Sequence, residues 1–173
     1  PILCLFEGVV SGAADGYARI SGKPAITLLH LGPGYANSMA NLHNAKRANS
    51  AIVNIVGDHA VWHHQHDAPL TSDVEAHVKI HSHWFKTTTS AEDLSLAGAE
   101  AVAASLSGAG KIATLVVPAN HAWEASSKSF DRIPPVPLST ISDERLEAAK
   151  RLLKNGKRTG LLLGGSALQE QCL

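Results

Sequence analysis

The chain has 173 residues, and its 15 lysines and arginines balance its 15 aspartates and glutamates. That length suffices for one domain with a proper core, and the even charge argues against a nucleic-acid or acidic-membrane partner. Two cysteines far apart, Cys4 and Cys172, show no metal or redox spacing, so a reducing cytoplasm is the default expectation; no apolar run reaches membrane-spanning length and no signal peptide stands out.

In chain order, residues 2–6 form a short bounded apolar run that reads as a buried strand ending on an acid, Glu7. Val10, Ala13, Ala14, Tyr17 and Ser21 then recur at helical spacing, with Gly22 as the stop before Lys23-Pro24. Gly8, Gly12 and Gly16 lie inside this helix, where each costs about 1 kcal/mol against alanine. The bare strip they leave predicts a close approach by another helix, a partner chain or a flat ligand. Asp15 and Arg19 stand four apart, as a helical ion pair would.

Residues 25–31 read as a second strand, Gly32-Pro33-Gly34 as a tight loop, and 35–48 as a helix ending in Lys46-Arg47. Residues 51–56 predict a third buried strand. A polar, histidine-rich loop follows over 59–71, then a short helix to about Ile80, capped by Ser72-Asp73. Residues 84–88 read as a short extended piece. Ser90, with two acids behind it, caps a helix to about Leu106, and 111–117 form a further strand. Alternating strands and helices predict an α/β domain: a doubly wound, mostly parallel sheet with helices on both faces and right-handed crossovers. The prolines Pro134, Pro135 and Pro137 mark a linker. Ser142 caps a last helix to about Asn155, stopped by Gly156, and 159–163 read as another strand. The boundaries expected are 1–125 for the first domain, 126–141 for the linker and 142–173 for the start of a further domain.

The run Glu-Gly-x-x-x-x-Ala-Ala-Asp-Gly-Tyr-Ala-Arg-x-x-Gly-Lys-Pro, followed by Gly-Pro-Gly-x-x-Asn, resembles the pyrimidine-binding domain of thiamine-diphosphate-dependent enzymes. The nearest groups are the acetolactate synthase large subunits and the benzoylformate decarboxylases. The likeness runs from about Ile2 to Trp123. It implies a fragment lacking its first strand-helix unit, a 2-oxo acid substrate such as pyruvate, and a homodimer or tetramer with the cofactor at the subunit interface. It also implies that diphosphate and Mg²⁺ are held by a domain absent from this chain, because no Gly-Asp-Gly motif is present; Gly57-Asp58-His59 is not one.

By the same resemblance, Glu7 hydrogen-bonds a ring nitrogen of the cofactor's aminopyrimidine. A carboxyl whose pKa is raised by desolvation could share a proton there, while a helix N-terminus would favour the carboxylate. An ordinary helix-start acid is the plainer alternative. Gly32, Pro33, Gly34 and Asn37 are the further candidate cofactor-binding residues; a rigid turn and a polar helix face are their plain readings. His30 reads as a core histidine.

The histidines are the most conspicuous cluster: His59, His63, His64, His66, then His77, His81 and His83. His59, His63 and His66 have spacings a zinc ion could use, but no cysteine joins them and the segment reads as a loop. His63 and His64 are instead candidate catalytic residues, since imidazoles titrate near neutrality and resemble in type a His-His pair of some related decarboxylases. Acetolactate-synthase-like carboligation is the first functional expectation and simple 2-oxo acid decarboxylation the second. A catalytically silent binding or structural module of the same fold is the alternative from another class. A nucleotide-binding domain lacks support, with no Gly-x-Gly-x-x-Gly after a strand and no Walker-type motif.

Overall fold

A computed structural model of the chain describes residues 1–168. Two compact units are seen, one spanning Pro1–Val136 and a second from Pro137 onward. In the first unit, α1 (Glu7–Ser21) leads to β1 (Ala25–His30), α2 (Leu31–Arg47) and β2 (Ile52–Asp58). After a 3₁₀ turn, Val61–His66, come α3 (Val74–His81), β3 (Trp84–Thr87), α4 (Ala91–Leu106), β4 (Ile112–Pro118) and α5 (Ala119–Trp123). The four strands are parallel in the order β1-β2-β4-β3. Parallel strands need crossovers, and each here contains a helix, as the alternating pattern predicts. The architecture is the expected α/β fold.

Strand β4 lies inside the sheet and is buried at every residue, which is why its sequence Ile-Ala-Thr-Leu-Val-Val-Pro is a continuous run rather than an alternation. On one face α1, α2 and α3 close a core of Ala14, Ala18, Leu29, Tyr35, Leu42, Ile52, Val56, Val78, Ile112 and Val116. On the other face Ala97 and Ala101 of α4 pack with Val53, Ala113, Leu115, Val117 and Trp84. This cover stops short of the edge strand, so Ile26 and Leu28 on β1 are 63% and 74% exposed.

A polar row crosses the covered face. Thr27 Oγ1 donates to Asn54 Oδ1 at 2.7 Å, and Asn54 Nδ2 donates to Thr114 Oγ1 at 3.2 Å. These residues are register partners across β1, β2 and β4. A one-residue slip would break both bonds and leave buried polar atoms unpaired.

Local chemistry sets the ends. Gly22 closes α1 in the left-handed conformation (φ 65°) and its N–H reaches Ala18 O. Asp73 and Ser90 accept from Ala76 N and Asp93 N as caps of α3 and α4. Arg19 meets Asp15 at 2.6 Å, the expected helical ion pair. The segment after α5 is irregular but tied to the first unit: Phe130 N donates to Ser95 Oγ, and Val136 N donates to Ser107 Oγ.

Several expectations need correction. Residues 2–6 form no strand; Ile2, Leu3 and Leu5 stand in the open. Hydrophobicity marks a segment that could be buried, but a strand also needs a neighbour, and none pairs here. The same holds for residues 159–163 in the second unit, which are irregular and exposed; that unit's helix, α6, spans Asp143–Leu153 with Ser142 as its cap. It ends before Asn155, and Gly156 (φ 76°) lies beyond it. Gly32-Pro33-Gly34 is no loop but the first turn of α2. A proline is tolerated there because the first helical N–H groups have no intrahelical partner. The sharp change of direction falls on buried Leu31 instead, at φ 56°. A non-glycine residue in that region is strained and is held by its surroundings. The histidine segment 59–71 contains the 3₁₀ turn, and Cys172 lies outside the described residues. Among the described residues, no helix is long and apolar enough to cross a membrane.

Candidate functional site

Every strand of a parallel sheet presents its carboxyl end at the same edge, where ligands bind in open α/β folds. At this edge the first turn of α2 follows directly on β1, and α1 brings its own first residue, Glu7, to meet it. Asn37 Nδ2 donates to Glu7 Oε2 at 3.0 Å. A Cβ placed on Gly34 would stand 3.5 Å from Glu7 Oε1, so the glycine keeps that flank of the carboxylate clear. Glu7, Gly34 and Asn37 therefore come together. His30 adjoins them, with its Cβ 3.7 Å from the same point. It is exposed at the strand end, not the core histidine expected. Its alternation with Leu29 puts it on the uncovered face of β1.

Gly32 serves a different neighbour. A Cβ on it would run into the Ser72 side chain, and His77 Nδ1 lies 3.7 Å off. Its bareness lets the residues before α3 pack on α2. Pro33 is exposed between the two glycines.

The glycine strip divides in the same way. Gly12 faces Asn41, whose Nδ2 would stand 3.2 Å from a Cβ there and donates to Gly8 O at 2.6 Å. This is the close approach of α1 to α2. A Cβ on Gly8 would meet the Phe6 ring. Gly16, in contrast, faces open space within this chain.

Glu7 titrates below the usual carboxylate range. Backbone hydrogen bonding at the head of α1 is the largest cause, the Asn37 amide the next, and the small desolvation opposes both. Of the two tendencies expected for this acid, the stabilised carboxylate prevails in the isolated chain, because little covers it.

The histidine turn is built otherwise. His63, His64 and His66 are exposed on Val61–His66, directly after β2. His64 Nε2 lies 3.3 Å from Asp58 Oδ2, and the His63 ring stacks obliquely between His59 (5.1 Å) and His66 (5.5 Å). His59 is the least exposed of the four: its N–H reaches Asp58 Oδ1, and its ring Nε2 is buried without a partner. Among the described residues no three His, Cys, Asp or Glu side chains converge as a metal site would need. His63 and His64 share the carboxyl edge with Glu7, but no hydrogen bond or ion pair joins them to it.

What the reading of single residues missed is the seam behind Glu7. Ser11 Oγ is fully buried and donates toward Glu7 O and Ser38 O. The signal was present: Glu7 and Ser11 are four apart on one helix, Asn37 and Asn41 four apart on the next, so each pair occupies one face.

Comparisons with known proteins bear on the fold and on family likeness. The family model described as thiamine pyrophosphate enzyme, N-terminal TPP binding domain, matches residues 1–84. The chain is 45% identical over 166 residues to a Mycobacterium tuberculosis protein named "Putative acetolactate synthase large subunit IlvX", covering 96% of this chain and 32% of that protein. It thus spans about a third of the length of that relative. Among solved structures, a thiamine diphosphate-dependent 4-hydroxybenzoylformate decarboxylase from Rhodococcus jostii RHA1 superposes with a TM-score of 0.76 at 22% identity, over 89% of this chain and 30% of that one. Benzoylformate decarboxylase from Polynucleobacter necessarius gives 0.74 at 25% identity, over 88% and 29%. The family match over residues 1–84, the identity to a longer relative and the shared fold converge: the chain is similar to the N-terminal domain of thiamine-diphosphate-dependent enzymes.

Proposed function

We propose that the whole protein is a thiamine-diphosphate-dependent enzyme that decarboxylates a 2-oxo acid such as pyruvate and joins the remaining fragment to a second carbonyl compound, as an acetolactate synthase does. The observation that carries this reading is the Glu7 carboxylate, held by Asn37 beside the bare Cα of Gly34 at the carboxyl edge of the sheet. The residues fit the cofactor's pyrimidine half: a hydrogen-bonding carboxyl with one open flank suits the edge of a flat ring bearing a nitrogen acceptor. When bound, thiamine diphosphate supplies a carbon nucleophile and an electron sink for loss of carbon dioxide.

This chain's residues then do three things. Glu7 holds a proton at the ring nitrogen. Gly32, Pro33 and Gly34 let the backbone at the start of α2 line the site. His63 and His64, exposed at the same edge, move protons on the substrate side. A covering subunit would strip water from Glu7 and push its pKa upward, toward the acid form this role needs. The protein acts as a homodimer or tetramer whose second copy supplies that cover and holds the diphosphate and Mg²⁺.

A second reading is decarboxylation without carboligation, as in a benzoylformate decarboxylase. It is favoured by the exposed imidazoles at the edge, which suit protonating a product. Full-length protein incubated with pyruvate, thiamine diphosphate and Mg²⁺ separates the two: acetolactate supports the first and free aldehyde the second. Neither product, with cofactor bound, would remove both.

A further inference from the structure

We propose that α2 aims the Glu7 carboxyl group, and that Asn37 is a positioning residue that decides which of its two oxygens carries a proton. The inference rests on the reading of Glu7 as the acid that faces the cofactor.

Three polar contacts join α1 to α2, all within the single turn 7–11 of α1 and the single turn 37–41 of α2. Asn37 Nδ2 donates to Glu7 Oε2 at 3.0 Å and Asn41 Nδ2 donates to Gly8 O at 2.6 Å, while the single Ser11 O–H lies within reach of Ser38 O at 3.2 Å as well as Glu7 O at 3.0 Å on its own helix. Ser38 Oγ in turn reaches Tyr35 O at 2.6 Å, and Ser38 and Tyr35 are fully buried. Gly12 leaves the space that Asn41 fills. The two helices are therefore indexed against each other: a shift of one along the other breaks all three links together. The Ser11–Ser38 contact is buried and the Asn41–Gly8 bond partly so, and the outermost bond ends on the carboxylate.

The chemistry of the outer link is directional. An amide nitrogen only donates, so Oε2 must remain an acceptor while the bond lasts. A protonated Oε2 would accept more weakly than a carbonyl-type oxygen, so a proton on the carboxyl group favours Oε1, the oxygen flanked by Gly34. With Asn37 absent, the proton could occupy either oxygen and the carboxyl could rotate. Asn37 thus stabilises the ionised form and fixes the direction in which Glu7 gives or takes its proton. Asn41 acts one step behind, by holding the backbone from which Glu7 projects.

The test is a carbon-13 NMR titration of side-chain carboxyl groups in full-length protein labelled at glutamate, with the Glu7 signal identified by its loss in Glu7→Gln. Asn37→Leu and Asn37→Asp are compared with the parent. The inference predicts that both raise the Glu7 midpoint, by about one unit or more, and Asp more than Leu because it adds a like charge. A midpoint unmoved in both would overturn it. Asn37→Ser, smaller and still polar, replaces either variant that fails to give a folded spectrum; it too must raise the midpoint. Kinetics give the second readout: Asn41→Leu should lower kcat with little change in KM for the 2-oxo acid, whereas equal kcat would overturn its positioning role. If Glu7→Gln keeps full turnover while the midpoints still shift, the functional reading fails and the aiming of the carboxyl stands.

Discussion

Two corners of the same sheet edge carry the candidate chemistry, and they are built in opposite ways. The Glu7 corner stands on a buried polar seam and a packed core, with Tyr35, Leu42 and Ser38 fully out of water behind it. The histidine turn is held only at its start, where Val61 N–H donates to Asn120 Oδ1 and Trp62 meets Trp123; His63, His64 and His66 are exposed and touch mainly His59, each other and Asp58. The lesson is about role. A group that must meet one atom of a rigid ring needs a fixed direction, and buried hydrogen bonds supply it. Groups that serve a substrate of varying shape can sit on an adaptable turn.

Stability measurements can break or sharpen that contrast. Leu42→Ala, in the core under α2, should cost about 2–5 kcal/mol, read as a large fall in thermal midpoint. A loss under about 1 kcal/mol would mean the Glu7 corner is no better packed than the turn. Asn41→Leu should cost less, about 1–3 kcal/mol, because Gly8 O loses its close donor. Ser11 Oγ lies 3.2 Å from Gly8 O, but its one proton is shared with Glu7 O and Ser38 O, so it replaces the lost donor only in part.

Histidines themselves divide along the same line. His81, on α3, is buried with Nδ1 unpartnered, and burial, Lys46 and His43 hold its pKa below the ordinary histidine value. The unfolded chain therefore binds its proton first as pH falls. Stability should decline from about pH 6.5 downward and level off below the lowered native value. His81→Leu should flatten that slope in denaturation series between pH 7 and 5; an unchanged slope would assign the decline to other groups. Glu7 gives a smaller effect with the opposite charge logic. Its lowered pKa contributes stability above about pH 4.3, the unfolded value, which is lost as pH falls through the native one. The difference between parent and Glu7→Gln should therefore shrink on acidification. His64→Ala, at the exposed turn, should change stability by no more than about 0.5 kcal/mol at neutral pH. A larger loss would show the turn to be a fixed structure after all.

Much of this was legible in the residues. The buried strands announced themselves as continuous apolar runs, and Ser90, Asp73, Ser142 and Gly22 marked helix ends by their side-chain or backbone chemistry. Residues 2–6 and 159–163 carry the same apolar signal without the structure, because pairing is a property of two segments and the pattern shows one. The start of α2 was hidden for another reason: Gly-Pro-Gly favours turns locally, and the strain at Leu31 that lets the helix begin earlier comes from packing. Glu7 and Asn37 were visible as candidates, but their bond was not, since it joins residues 30 apart. Asn41 reads in the sequence, with Asn37, as a polar position on a helix facing a second subunit, and Ser11 as an ordinary polar helix residue, until the facing helix α1 is in place.

The central claim is that the Glu7 carboxyl faces the pyrimidine ring of thiamine diphosphate and promotes proton loss at the cofactor's reactive carbon. Deuterium exchange at that carbon, followed on cofactor bound to the full-length protein, measures this without depending on the substrate. The account predicts that Glu7→Gln slows the exchange by about 10²–10⁴-fold while cofactor still binds. Exchange at the parent's rate in that variant would contradict it.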